Sequence, residues 1–427
     1  MSEVILSIGI IFFLAHIAVS VFERTKIPDV LSLILLGLII GPLLGVVKIS
    51  DFGKVGSVFS SIALVVILFE SGTTLNLKTL SESIRSTISI SISSFIASIV
   101  LVTVTVYFLL GLTLMPSIIT GIILGGTSSA VVIPLVKALR MKEKSETILI
   151  IESALTDVLC IVLVFSLIQA EINGSIETGK IIGSILSSLL FALVIGLVGS
   201  IAWLLVLNTV RRFPNTILST FAFVFIVYGI SEFLGFSGAI ASLSFGIGLT
   251  NHERIRAFLG IKILRQREFA VITETEKTFY KEIVFVIKTF FFLYLGISIK
   301  FGEIATGVTA ALIVVFIYAA RLLLTRFVVE KEVERRDASL ISIMVPKGLA
   351  AAVLASIPLQ QGMAGGQVIQ DVVYLTVLTS IIATVILVPL IEKNTLSWFY
   401  GPIFGGFKPD TSVGEAPPAN PHPDEYL

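Results

Sequence analysis

The stretch 145–170 constrains the fold most, because it is almost wholly apolar and yet carries two acids. It reads SETILIIESALTDVLCIVLVFSLIQA, which as a helix is long enough to cross a bilayer. Glu152 and Asp157 lie in its middle. A carboxylate at membrane depth is costly and marks a functional site by default. We therefore predict a membrane-spanning helix with two separate polar faces, because residues five apart point in different directions.

The composition indicates a polytopic membrane protein. Of the 427 residues, 55% are hydrophobic and only 14% are charged, whereas soluble domains are about a quarter charged. The net charge of +1 gives no reason to expect a nucleic-acid partner. No nucleophile–base pair or metal-ligand cluster stands out, so we expect neither an enzyme nor a bound cofactor.

The hydropathy pattern predicts an all-α protein with thirteen transmembrane spans in residues 1–395. The segment 396–427 is rich in Pro and Gly, and we expect it to be a short, disordered cytoplasmic tail. Most of the 30 lysines and arginines lie in loops on one side, which places the N-terminus outside and the C-terminus in the cytoplasm. The predicted spans are 4–22, 30–47, 55–71, 84–111, 117–136, 145–170, 181–209, 216–234, 237–250, 282–299, 305–328, 338–357 and 368–391.

Similar short stretches recur at an offset of about seven spans. GLIIGP in span 2 is similar to GIGLTN in span 9, and ILFESG in span 3 is similar to LYLGIS in span 10. An odd offset turns the second copy upside down, so the pattern predicts two inverted six-helix repeats. Inverted repeats with interrupted helices in corresponding places are typical of secondary transporters.

Spans 5 and 12 are predicted to be interrupted. GGTSSA at 125–130 weakens span 5, and VPKGLA at 345–350 weakens span 12. Broken helices expose backbone groups that lipid does not tolerate but that can bind an ion inside a protein cavity.

Four ionisable residues lie well inside the predicted spans: Glu152, Asp157, Arg321 and Lys347. Arg321 keeps its proton and therefore needs a carboxylate partner. One interpretation is that the four form two structural salt bridges. The other is that Glu152 and Arg321 form a scaffold pair, while Asp157 stays free to exchange a proton for a cation.

Asp157 is the better candidate for exchange. Ser153 lies one turn before it on the same helix face, and small polar residues abound in the interruption of span 5. Lys347, in the interruption of span 12, is predicted to offset partial negative charge there.

Four stretches resemble the monovalent cation–proton antiporter superfamily, most closely its NhaP-like Na⁺/H⁺ exchanger branch. They are KIPDVLSLILLGLIIGP (26–42), IESALTD (151–157), YAARLLL (318–324) and VPKGLAAAV (345–353). The resemblance covers about 1–395, and the four motifs are specific as a set.

The resemblance implies exchange of Na⁺, K⁺ or Li⁺ for H⁺, in homodimers in the plasma membrane. A core bundle of spans 4–6 and 11–13 would move against a dimerisation domain formed by the remaining spans. The interrupted spans 5 and 12 would cross beside the site, and Glu152 and Arg321 would form the structural ion pair. The implied cation- and proton-binding set is Asp157, Ser153, Thr127, Ser128 and Thr156, with Asp157 and Ser153 as the cation ligands.

Some residues depart from the branch pattern. Thr156 replaces an Asn, Ser128 stands where an Asp is usual, and Lys347 replaces an Arg. TSSAVV is more similar to the break of the potassium-efflux antiporters. One carboxylate fewer on the ion face makes K⁺ a credible substrate and predicts an electroneutral exchange of one cation per proton.

Other functions remain as alternatives to a Na⁺/H⁺ antiporter. The nearest is a K⁺/H⁺ antiporter or efflux system gated by a separate cytoplasmic regulatory subunit. An organic-solute symporter and an ion channel or membrane sensor fit the pattern less well.

Overall fold

The computed structural model describes parts of residues 9–20, and then 29–45, 47, 55–74, 84–173, 178–213, 218–259, 273–299 and 304–410. Within these residues the regular structure is helical, apart from an isolated β-bridge between Glu334 and Lys408. The helices α1–α13 carry the numbers of the predicted spans, and α1 comprises the helical residues of 9–20. The others are α2 (Asp29–Leu38, continued by a π-turn Ile39–Leu43), α3 (Val55–Thr74), α4 (Ile84–Leu110), α5a (Leu114–Ile123), α5b (Ser129–Ala138), α6 (Glu143–Asn173), α7 (Thr178–Val210), α8 (Ser219–Phe233), α9 (Gly238–Thr250, followed by a short helix His252–Leu259), α10 (Glu274–Ser298), α11 (Ile304–Val328), α12a (Arg335–Ile343), α12b (Leu349–Gln360), α13 (Gly366–Glu392) and α14 (Ser397–Ile403).

The lengths and composition of the described helices fit a membrane protein. Five of them, α4, α6, α7, α11 and α13, are long and apolar enough to cross a membrane. Shorter apolar helices of 10–17 residues account for α2 with its π-turn, residues 61–70 of α3, α5a, α8, α9 and most of α12b.

Two pairs of helices cross where both backbones carry glycine. A β-carbon at Gly37 in α2 would lie 3.0 Å from the Cα of Gly296 in α10. A β-carbon at Gly72 in α3 would likewise lie 3.1 Å from the Cα of Gly246 in α9. Small residues let membrane helices approach this closely. The sequence pattern matches span 2 with span 9 and span 3 with span 10. Under this matching the crossing of α2 with α10 corresponds to the crossing of α9 with α3.

The interruptions of α5 and α12 lie against each other. α5a ends at Ile123 and α5b begins at Ser129, while α12a ends at Ile343 and α12b begins at Leu349. Between them the Ser128 N–H donates a hydrogen bond to the Pro346 carbonyl at 2.8 Å. The four half-helices therefore bring their free backbone ends to one place, beside the middle of α6.

The segment after α13 differs from the expected disordered tail. Residues 397–403 form α14, and Phe404 and Phe407 are buried. The Lys408 N–H donates to the Lys331 carbonyl at 3.1 Å, and the Lys331 ammonium lies over the Phe407 ring. Aromatic residues spaced three or four apart let this segment pack on the α11–α12a connection despite its Pro and Gly content. Residues 411–427, the rest of the predicted tail, lie outside the described residues.

Candidate ion-binding site

The site lies along α6, which packs against both halves of α5 and of α12. Glu152 is 1% exposed and Asp157 is 9% exposed, so neither acid has water as its main partner. The two acids lie on different faces of α6 and therefore contact different neighbours.

Glu152 is fully engaged by Arg321 of α11. The two terminal nitrogens of Arg321 donate to the two carboxylate oxygens of Glu152, each at 2.5 Å. The remaining Nε donates to the Ile341 carbonyl in α12a at 3.2 Å. This two-pronged geometry is the strong form of a carboxylate–guanidinium pair. The pair is electrically neutral and links α6, α11 and α12a.

Asp157 receives its hydrogen bond from the first residue of α5b. The Ser129 hydroxyl donates to Asp157 Oδ2 at 2.7 Å, and Ser129 is itself only 5% exposed. A carboxylate oxygen pair can accept about four hydrogen bonds. Asp157 accepts one hydrogen bond on one oxygen, whereas both oxygens of Glu152 accept from Arg321, so Asp157 keeps the greater acceptor capacity.

Thr156 joins α6 to the interruption of α5. Its hydroxyl accepts a hydrogen bond from the Thr127 N–H at 3.2 Å and donates to the Glu152 carbonyl at 2.8 Å. The Thr156 side chain therefore holds the break against α6.

The hydroxyls of Ser153 and Ser128 point elsewhere. Ser153 Oγ donates to the Ile150 carbonyl of its own helix at 2.9 Å, a common arrangement for serine inside a helix. A β-carbon at Gly348 would collide with the Ser128 side chain, so Ser128 faces the interruption of α12. Ser128 Oγ is buried and has no hydrogen-bond partner among the described residues.

Lys347 spans the two interruptions. Its ammonium donates to the Gly126 carbonyl at 2.9 Å, and its N–H donates to Ser380 Oγ in α13 at 2.9 Å. Lys347 is 1% exposed. Among the described side chains, no carboxylate oxygen lies within 4.0 Å of this ammonium. The Lys347 ammonium thus lies near Asp157 without contacting it.

Comparison with known proteins identifies the family. The family model of the transmembrane region of sodium/hydrogen exchangers matches residues 9–393. The chain belongs to the sodium/hydrogen exchanger family. It is accordingly a membrane transporter that exchanges cations for protons, and not an enzyme. Comparison with curated proteins finds no match.

Solved structures show the same fold for this exchanger. The sodium proton antiporter MjNhaP1 from Methanocaldococcus jannaschii at pH 8 aligns with a TM-score of 0.71 and 19% identity, over 90% of this chain and 99% of that one. An electron-microscopy structure of the same antiporter aligns with a TM-score of 0.68 and 18% identity, over 93% of this chain and 99% of that one.

The exchanger brings most residues suggested by the sequence to one place, with different roles for its hydroxyls. Thr127 contributes its backbone N–H, and Thr156 ties α6 to the break. The sequence reasoning missed Ser129, which is the residue that hydrogen bonds Asp157. In the sequence Ser129 is visible only as the second of two adjacent serines, after Ser128. Which serine faces α6 depends on the turn at the break, and no helical periodicity describes that turn.

Proposed function

We propose that this exchanger moves one monovalent cation against one proton, with Asp157 binding either of them in turn. The observation that carries the proposal is the asymmetry between the two acids of α6. Glu152 is paired on both oxygens, whereas Asp157 has one hydrogen bond and remaining acceptor capacity. A buried carboxylate with unused acceptor positions suits a cation that must bind and leave.

The charges around Asp157 support an electroneutral exchange. Glu152 and Arg321 cancel each other, and Lys347 keeps one positive charge near the site. Binding a monovalent cation or a proton to Asp157 adds the same charge. The core therefore carries equal net charge in its two loaded forms, and alternating access of these two forms moves no net charge across the membrane.

We further propose the architecture in which this exchange takes place. It has thirteen spans, an outside N-terminus and a cytoplasmic C-terminus in the plasma membrane, and two inverted repeats. The matched glycine crossings of α2 with α10 and of α3 with α9 support the repeats. A core of spans 4–6 and 11–13 would move against the remaining spans, which would also form a homodimer.

Na⁺ is the first candidate for the cation, since MjNhaP1 is a sodium proton antiporter. K⁺ is the second candidate. It is favoured by Ser128, which places a neutral hydroxyl in the break, since fewer hard anionic oxygens weaken the preference for the smaller ion. A regulatory subunit that gates K⁺ efflux belongs to this second candidate.

Proteoliposomes with an imposed pH gradient test the site. Asp157→Asn should abolish cation-driven proton flux while the protein still purifies as a folded species. Asp410→Asn, which removes a carboxylate far along the chain in the C-terminal segment, is the matched control and should keep the flux. Exchange retained by Asp157→Asn would refute the assignment of Asp157.

The same vesicles test stoichiometry and ion choice. An imposed membrane potential should leave the rate of Na⁺/H⁺ exchange unchanged if one cation replaces one proton, and a potential-dependent rate would contradict that ratio. Flux measured with Na⁺, K⁺, Li⁺ and Rb⁺ in turn decides between the two candidate cations.

A further inference from the structure

We propose that the Ser129 hydroxyl is a direct ligand of the transported cation, which it binds together with Asp157. The inference rests on the proposed function, since it takes Asp157 as the carboxylate that binds the cation. It adds a ligand that neither the family match nor the resemblance of the sequence assigns.

Ser129 Oγ and Asp157 Oδ2 form a close pair of oxygens in a buried place. They lie 2.7 Å apart, and both residues are at least nine-tenths buried. A hydroxyl has one proton to donate and two lone pairs to offer. The proton is used on Asp157, so the lone pairs of Ser129 can bind a cation while the hydrogen bond to the carboxylate stays in place.

The interruption of α5 fixes Ser129 in this position. The Ser128 N–H is held by the Pro346 carbonyl at 2.8 Å, and the Ser128 carbonyl accepts from the Val132 N–H at 2.8 Å. α5b therefore starts directly after Ser128, and Ser129 stands in its first turn facing α6. The backbone N–H and carbonyl of the residue before Ser129 are therefore both hydrogen bonded. Ser129 then needs little further ordering when the cation arrives.

The other hydroxyls near Asp157 in sequence or space are less suited to the role. Ser153 bonds the Ile150 carbonyl in its own helix, and Thr156 both donates to Glu152 O and accepts from the Thr127 N–H. Ser128 Oγ, buried and unpartnered among the described residues, is a further oxygen that a small turn of the break could offer.

A binding role predicts an effect on affinity more than on turnover. Ser129→Ala should raise the KM for the cation about tenfold, because hydrogen bonds and ligands to charged groups are worth roughly that much. The maximal rate should stay within about twofold. Ser129→Thr, which keeps the hydroxyl, should restore most of the affinity.

The control is Ser242→Ala in α9. Ser242 is also fully buried and donates to a carbonyl of its own helix, Gly238 O at 2.9 Å. Its KM should equal that of the unaltered protein. Ser129→Cys provides a second variant of nearly the same size, with a soft thiol that binds alkali cations poorly, so a raised KM is expected there as well.

The outcomes separate this inference from the proposed function. An unchanged KM in Ser129→Ala or in Ser129→Cys overturns the ligand role and leaves Asp157 untouched. A lowered maximal rate with an unchanged KM means that Ser129 only shapes the break, and this also overturns it. Exchange that persists in Asp157→Asn instead refutes the function on which the inference rests.

Discussion

Two acid–base combinations in the core, Glu152 with Arg321 and Asp157 with Lys347, have the same formal charges and opposite geometry. Glu152 and Arg321 touch through two hydrogen bonds of 2.5 Å. Asp157 is held by a neutral hydroxyl, and the Lys347 ammonium bonds a backbone carbonyl instead. A contact pair leaves no place for a cation, whereas a separated pair does. The first combination therefore suits a permanent link between helices and the second suits an exchangeable ion.

Removing Glu152 should have the largest effect on stability. Glu152→Ala leaves the Arg321 charge buried without a partner, which we expect to cost about 3–5 kcal/mol of unfolding free energy. Thermal unfolding of the purified protein measures the loss. The double variant Glu152→Ala with Arg321→Met removes both charges and should regain much of it. A double variant no more stable than the single one would show that the pair does not act as a unit.

Replacing Lys347, in contrast to Glu152, should change stability little and transport strongly. Lys347→Met keeps the length of the side chain and removes one buried charge and one hydrogen bond, so the unfolding free energy should change by only about 1 kcal/mol. Exchange should fall at least about tenfold, because Asp157 loses the positive charge that offsets it. Flux and thermal unfolding measured on one preparation compare the two effects.

Lys347→Arg is the matched control, since it keeps the charge. It should retain more exchange than Lys347→Met. Equal losses in the two variants would mean that packing at the break, and not charge, is what Lys347 provides.

The sequence predicted the larger elements of this site because they follow helical periodicity and charge balance. The interruptions near Gly125 and Pro346 were visible as helix-weakening residues. Arg321 needed a buried acid, and Glu152 was available on a different face from Asp157. These arguments use only residue type and the 100° rotation per residue.

The hydroxyls and the C-terminal segment could not be predicted in the same way. Ser153 shares a helix face with Asp157, yet its hydroxyl bonds Ile150 O, a local choice that spacing does not determine. Ser129 reaches Asp157 because the backbone at the break is held by Pro346. Phe404 is buried by tertiary contacts, which composition does not reveal.

Ser128→Asp tests whether the charge of the break governs ion choice, and we expect a smaller effect. A carboxylate there adds a hard anionic oxygen, and the KM for Na⁺ should fall relative to that for K⁺ by a few-fold. Flux with each ion measures the ratio. Ser128→Asn has the same size without the charge and separates electrostatics from crowding against Gly348. An unchanged ratio in Ser128→Asp would remove Ser128 from the determinants of selectivity.

The smallest effect is expected for an exposed ion pair, which serves as the reference for the buried pair of Glu152 and Arg321. The Lys144 ammonium contacts the Glu330 carboxylate with both side chains about 40% exposed, at 42% and 41%. Water screens this pair, so a double-mutant cycle of Lys144→Gln and Glu330→Gln should give a coupling energy below about 1 kcal/mol and no loss of exchange. A coupling as large as that of Glu152 with Arg321 would mean that burial is not what distinguishes the pair in the core. Both pairs join one positive and one negative charge. The ratio of their two coupling energies therefore measures how much the buried surroundings of α6 strengthen a contact between charges.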